Sequence, residues 1–228
     1  MNRKGDIILT FDIKKYTRRT EKQFNRFRAF WQFIVCKIIY MIWYKVVYRL
    51  EVHGKENIPH DNNYIVCGNH LSALDPPLIC AVLPNPTSFI AKKELFEKPF
   101  MRWWMDWLGA FAVNRDKPEP STIKTALSIK NTRNWVLALF PQGTREQAGS
   151  IKNVSKGFAN FARINKCGIL PIGITGTQTK KKIPFTGKII VNIGEIIPYS
   201  DDVDEVVQNW IKSVEALTGF KYEGSLNV

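Results

Sequence analysis

The sequence predicts an α/β fold: a mixed, largely parallel central sheet flanked by helices, preceded by a membrane-associating helical element at the N-terminus. Three observations predict it. Short apolar runs of strand length alternate along the chain with segments long enough for crossover helices. Several of those runs are apolar at every position, as strands covered on both faces are. One much longer apolar stretch, rich in aromatics, stands ahead of them all. At 228 residues, one domain with a short appended element is the default. A hydrophobic share of 45% against 23% charged excludes wholesale disorder. The division expected is residues 1–50 as a basic lead-in and membrane-associating helix, and 51–228 as the α/β domain.

The first 28 residues are basic, with Lys14, Lys15, Arg18, Arg19, Lys22, Arg26 and Arg28 against Asp6, Asp12 and Glu21. No small-residue cleavage site of a signal peptide follows the apolar run that comes after them. Ala29 to Leu50 could span a bilayer as a helix at ~1.5 Å per residue. Lys37 would then sit near mid-span, costing ~2.5–3.5 kcal/mol. On a helical wheel Lys37 and Lys45 fall within about 80° of one another, with Gln32 and Arg49 near that sector. One polar edge, a broad apolar face and the aromatics Trp31, Trp43, Tyr44 and Tyr48 fit a helix lying in the membrane interface. A buried core helix and a true span are the alternatives. Strands are then expected at Tyr64–Cys67, Thr87–Ala91, Ala110–Asn114, Trp135–Phe140, Gly168–Ile174 and Lys188–Ile193. Helices are expected at Asp75–Val82, Lys98–Leu108, Ser121–Asn131 and Ser155–Asn165. The stripe Val203, Val206, Val207, Trp210, Ile211 and Val214 places a last helix at Asp202–Thr218, as core packing.

The formal charge of +13 calls for an anionic partner: nucleic acid, an acidic membrane surface or a phosphorylated substrate. The excess clusters beside an apolar helix, and no RNP-like or helix-turn-helix signature accompanies it, so nucleic acid is not expected as a partner. Cys36, Cys67, Cys80 and Cys167 sit scattered in apolar surroundings with no CxxC, and neither His53 nor His60 stands at metal-ligand spacing from another candidate ligand. Four reduced, mostly buried thiols in a cytosolic compartment, and no metal site, are the expectation.

Three segments at strand ends carry chemistry. The first is Asn69-His70-Leu71-Ser72-Ala73-Leu74-Asp75. Five helical steps would leave His70 and Asp75 about 140° apart, so they meet only if a turn folds the carboxylate back. If they meet, Asp75 holds one imidazole nitrogen protonated and leaves the other to accept a proton, two parts of a Ser-His-Asp arrangement with a substrate hydroxyl in place of the serine. The second is Phe140-Pro141-Gln142-Gly143-Thr144-Arg145, where Gly143 allows close backbone approach and Thr144 and Arg145 supply donors suited to phosphate. The third is Gly109-Ala110-Phe111-Ala112-Val113-Asn114-Arg115, again ending in an arginine fork.

The order NHLSALD, GAFAVNR, FPQGTR and Leu170-Pro171-Ile172-Gly173-Ile174 resembles the glycerophospholipid acyltransferases of the 1-acylglycerol-3-phosphate acyltransferase type, over roughly residues 50 to 195. The resemblance implies a membrane-associated enzyme moving an acyl group from an acyl carrier protein or coenzyme A thioester, as co-substrate, to the sn-2 hydroxyl of lysophosphatidic acid. No cofactor beyond that co-substrate is implied. It makes His70 the general base and Asp75 its orienting partner. Arg115, Gly143, Thr144 and Arg145 are implied to bind the acceptor phosphate, with help from Lys92 or Lys93. Asn69 and Gln142 would position the acceptor, and Pro171 would shape the acyl pocket. No covalent acyl-enzyme is needed, in keeping with the lack of a GxSxG elbow.

One position departs from the pattern: Gln142 stands where the family usually has glutamate. It keeps an acceptor oxygen but loses the charge, which opens the acceptor's identity. The same chemistry on glycerol-3-phosphate or another lysolipid, or a non-catalytic lipid-binding module, are the competing expectations. The location implied is the cytoplasmic face of the cell membrane.

Overall fold

The computed structural model describes residues 13–113, 120–132, 134–178, 185 and 187–224. Among them, every strand and helix expected from Tyr64 onward forms, with ends within two residues of the expected ones. Apart from a single turn at Lys14–Thr17, the α-helices among the described residues are α1 (Arg26–Tyr48), α2 (Asp75–Val82), α3 (Pro99–Trp107), α4 (Pro120–Lys130), α5 (Gly157–Asn165) and α6 (Val203–Thr218). The strands are β1 (Glu51–His53), β2 (Tyr64–Gly68), β3 (Thr87–Lys92), β4 (Phe111–Val113), β5 (Val136–Leu139), β6 (Ser150–Ile151), β7 (Gly168–Thr175), β8 (Ile190–Ile193) and β9 (Lys221–Tyr222). The short β1, β6 and β9 offer two or three residues each, too few to show any periodicity.

A seven-stranded sheet in the order β1-β8-β7-β2-β5-β3-β4 forms the frame. β7, β2, β5, β3 and β4 run parallel, while β8 turns antiparallel to β7 and carries β1 with it. Alternation along the central strands feeds two separate cores. Val66, Val136, Ala138, Leu170 and Ile172 pack on one face with α1 and α2. Ile65, Cys67, Leu137 and Ile169 pack on the other with α4, α5 and α6, around the fully buried Trp210. The uniformly apolar strands are therefore covered on both faces. Asp202 opens α6 by accepting from the Asp204 and Glu205 amides at 2.9 and 3.1 Å, and Gly219, at φ 73°, closes it.

α1 departs from the expected wheel. Residues Phe33–Tyr40 wind as a π-helix, whose wider turns break the 100° step that put Lys37 and Lys45 on one edge. Lys37 instead turns toward the domain and donates to Ala81 O at 2.9 Å, a cation at the C-terminus of α2. Gln32 is buried too, bridging Thr87 N, Thr87 O and Leu108 O at 2.7–2.8 Å. Lys45 stays exposed. The buried face holds Val35, Cys36, Tyr44 and Tyr48, whereas Phe27, Phe30, Phe33, Ile38, Ile39, Ile42 and Val46 point outward. α1 is thus apolar on both faces, whereas a soluble amphipathic helix keeps its outer face polar. The four cysteines are free and buried.

Candidate active site

The carboxyl ends of β2, β5 and β3 lie side by side along one edge of the sheet, the edge where open α/β sheets bind ligands. Residue 70 leaves β2 there. Leu71–Leu74 form a turn rather than helix, and Asp75 opens α2 ahead of Pro76 and Pro77, whose fixed φ suits a first helical turn. That turn folds the carboxylate back, and Asp75 Oδ2 meets His70 Nδ1 at 2.8 Å.

The same oxygen accepts from the Leu71 and Ser72 amides at 2.6 and 2.7 Å, while Oδ1 accepts from Thr177 Oγ1 at 2.6 Å. Asp75 is 0% exposed, so each of those donors offsets desolvation of the carboxylate. A carboxylate that only accepts requires Nδ1 to carry the proton, which leaves Nε2 with a free lone pair. The ring stacks on Phe140 at 4.2 Å and 20°, which fixes its plane. Tyr44, from α1, donates to Leu74 O at 2.8 Å and so braces the turn between the two residues. Burial raises the Tyr44 phenol well above the ordinary tyrosine range, keeping it a donor.

β5 ends in a turn with Pro141 second, closed by Gly143 N donating to Phe140 O at 2.9 Å. Gly143 has φ 68°, a left-handed conformation that favours glycine. This turn clamps the His70 backbone from both sides: Gln142 Oε1 accepts from His70 N at 2.7 Å, and Glu146 N donates to His70 O at 2.9 Å.

His70 opens onto a cavity of about 780 Å³, a volume suited to a lipid-sized ligand. Its polar lining includes His70, Gly143, Thr144, Arg145 and Lys92, and its apolar lining includes Tyr40, Phe89, Phe100, Met101, Trp104 and Leu108. Of the residues singled out in the sequence, these first five converge on it. Lys93 is half-buried in the 3-10 turn after β3 and is not part of the lining.

Asn69 and Gln142 are buried and face the protein rather than the cavity. The Asn69 amide exchanges two hydrogen bonds with the Ile174 backbone, at 2.6 and 2.9 Å, tying β2 to β7. Pro171 lies within β7 against Gly194, also outside the lining. Arg115 falls outside the described residues. Thr177, Glu146, Tyr44 and Phe140 were not singled out as site residues. Thr177 and Tyr44 stand 102 and 30 positions from the partners they hold, which hides them, whereas Phe140 opens the FPQGTR segment and Glu146 directly follows it.

The acyltransferase family model matches residues 49–175, which include all three strand-end segments, the His–Asp pair among them. The chain is 30% identical over 176 residues to the 1-acyl-sn-glycerol-3-phosphate acyltransferase of Streptococcus pneumoniae, across 76% of this chain and 65% of that protein's length. It is 29% identical over 153 residues to the Bacillus subtilis protein of the same name, across 67% of this chain and 75% of that one. The crystal structure of the 1-acyl-sn-glycerophosphate (LPA) acyltransferase from Thermotoga maritima superposes with a TM-score of 0.64 at 26% identity, covering 81% of this chain and 76% of that chain.

Proposed function

This chain belongs to the acyltransferase family, and on that premise we propose that it acylates the sn-2 hydroxyl of 1-acylglycerol-3-phosphate from an acyl thioester, giving phosphatidic acid. The observation that carries the reading is His70, paired with Asp75, in the lining of a cavity that also holds cationic and large apolar side chains. An acceptor with a phosphate and an acyl chain needs both, with its free hydroxyl between them.

In the reaction, His70 Nε2 takes the hydroxyl proton as the oxygen attacks the thioester carbonyl carbon. A C–O bond forms, the C–S bond breaks, and the proton passes from the imidazolium to the departing thiolate. Asp75 stabilises the imidazolium in between, and such general-base help contributes ~10²–10⁴-fold. Arg145 and Lys92 are the cations, and Thr144 and the Gly143 amide the neutral donors, offered to the acceptor phosphate. Arg115 retains the phosphate-binding role implied by its motif. The thiol product is acyl carrier protein or coenzyme A.

Residues 1–50 are the membrane-associating element in this reading. α1, 23 residues long, is apolar enough to cross a bilayer, yet its inner face is committed to the domain core, which supports a helix lying in the interface. Phe27 and Phe30 on α1 and Phe100 and Trp103 on α3 are 66%, 62%, 70% and 47% exposed. Phe27–Trp107 and Trp31–Trp103 ring contacts at 5.8 and 6.4 Å join the two helices into one aromatic surface. Phe100 also lines the cavity, so lipid could enter from the surface these residues form. Four unpaired thiols support the reducing, cytoplasmic side of the cell membrane.

The test is product formation by purified protein with acyl carrier protein and coenzyme A thioesters against lysophosphatidic acid, glycerol-3-phosphate and a neutral lysolipid. Phosphatidic acid formed with one thiol released per acyl group is expected. Arg145→Ala should raise KM for the phosphorylated acceptor at least ~10-fold with a smaller change in kcat. Turnover of the neutral acceptor alone, or an unchanged KM, would contradict the phosphate assignment.

A further inference from the structure

We propose that Gln142 and Glu146 form one charge-matched unit that positions His70, with the negative charge of this loop placed at 146 and a neutral amide required at 142. The inference rests on the reading of His70 as the general base. Its starting point is the chain of contacts behind the imidazole. His70 N–H donates to Gln142 Oε1 at 2.7 Å, and Gln142 Nε2 donates to Glu146 Oε2, also at 2.7 Å. Glu146 in turn returns to His70 through its own amide, at 2.9 Å to His70 O. The circuit closes on one residue, holding the amide and carbonyl of His70 from a single loop.

The chemistry of the three groups permits one arrangement. A backbone N–H only donates and a carboxylate only accepts, so the group between them must accept on one side and donate on the other. Glutamine does both, and the Glu146 carboxylate sets which way its amide faces. A glutamate at 142, the residue the resembled motif carries there, would put two carboxylates at hydrogen-bond distance, and they could coexist only by sharing a proton.

Glu146 Oε2 also accepts from Lys152 N at 2.7 Å, while Oε1 is buried with no partner among the described residues. Burial raises the Glu146 carboxyl above the usual range, so a second carboxylate beside it would hold that shared proton more firmly still. The other charged groups around the unit are Arg145 beside it in the chain, Lys152, whose Nζ pairs with Glu223 at 2.9 Å, and the His70–Asp75 pair. Gln142 is therefore a positioning residue reached from behind the base. It does not face the acceptor.

The experiment is a double-mutant cycle of parent, Q142E, E146Q and Q142E/E146Q, with kcat, KM and Tm measured at pH 6 and pH 8 and His70→Ala alongside. Q142E should lower kcat at least ~10-fold at pH 8 with KM within about threefold, because misplacing a catalytic group by ~1 Å can cost 10²-fold. The defect should shrink at pH 6. The shared proton is bound in the folded protein and not in the unfolded chain, so Tm of Q142E should also fall between pH 6 and pH 8 relative to the parent. Q142E/E146Q restores one carboxylate and one amide, and exposed Lys152 N–H can turn to water. Its kcat should return to within about threefold of the parent, with the pH dependence gone.

A double variant no better than Q142E overturns the proposal. So does a Q142E whose Tm falls with pH while kcat keeps the parent value, because the unit would then be structural only. His70→Ala as active as the parent would overturn the base assignment itself, through a variant that leaves the unit untouched.

Discussion

His70 and Asp75 meet because of a turn that helical periodicity does not describe. Five residues separate them, and only the non-helical stretch Leu71–Leu74 brings Oδ2 to Nδ1 at 2.8 Å. The two residues were legible in the sequence as types at strand-end spacing; their contact was conditional on a fold-back. The support was not legible at all. Thr177 reaches Asp75 Oδ1 across 102 positions of chain, and Gln142 reaches His70 across 72. Thr177→Val should leave a buried carboxylate oxygen without its donor, costing about 1–3 kcal/mol of stability. It should lower kcat as well, with Thr177→Ser restoring both. Unfolding midpoints and kcat for the two variants check this, and a Thr177→Val protein with parental values of both would remove Thr177 from the site. Gln142, which left the acceptor's identity open when read as a residue facing substrate, is buried with both ends of its amide bonded to His70 N and Glu146 Oε2.

At the scale of elements, the strands and helices of the α/β frame follow from apolar runs and their punctuation, because burial on two faces imposes those runs. α1 does not yield to the same reading. Its length and apolarity were plain, but its faces depend on a π-helical stretch that no apolar period in the sequence marks. Lys37 and Gln32, expected on a wet edge, are the residues turned toward the domain. Burial lowers Lys37 to about 8 from the ordinary lysine value of 10.5. The folded protein therefore binds fewer protons than the unfolded chain between those values. A burial penalty present below about pH 8 is relieved as pH rises toward 10.5. Between pH 7 and pH 10 the parent should gain Tm relative to Lys37→Met. Parallel Tm curves would show that Lys37 stays charged in the fold. α1 also reaches the chemistry directly, through Tyr44 to Leu74 O and Tyr40 in the cavity wall. Removing residues 1–50 would therefore strip the core along with any membrane contact, and point changes on the outer face are the cleaner probe.

At the scale of the whole molecule, the outward face of α1 and the aromatic surface of α3 adjoin the cavity through Phe100, and in the proposed function they are the route from lipid to His70. A soluble protein has no reason to expose Phe27, Phe30, Phe100 and Trp103 together, and contiguous apolar surface of this kind marks an interaction site. Replacing Phe27, Phe30 and Trp103 by Ser should weaken partitioning onto anionic vesicles at least ~10-fold, since burying a single large apolar side chain is worth ~1.5–3 kcal/mol. Tm should be little changed, because these rings lie outside the core. Unaltered sedimentation with vesicles would move the membrane contact elsewhere on the chain. The central claim, that His70 deprotonates a lysolipid hydroxyl at the end of this path, is tested most directly on vesicles containing lysophosphatidic acid, with an acyl thioester added and phosphatidic acid followed over time. The parent should form it; His70→Ala should form it at least ~10²-fold more slowly, with vesicle binding and Tm retained. A His70→Ala protein that keeps pace with the parent would contradict the account.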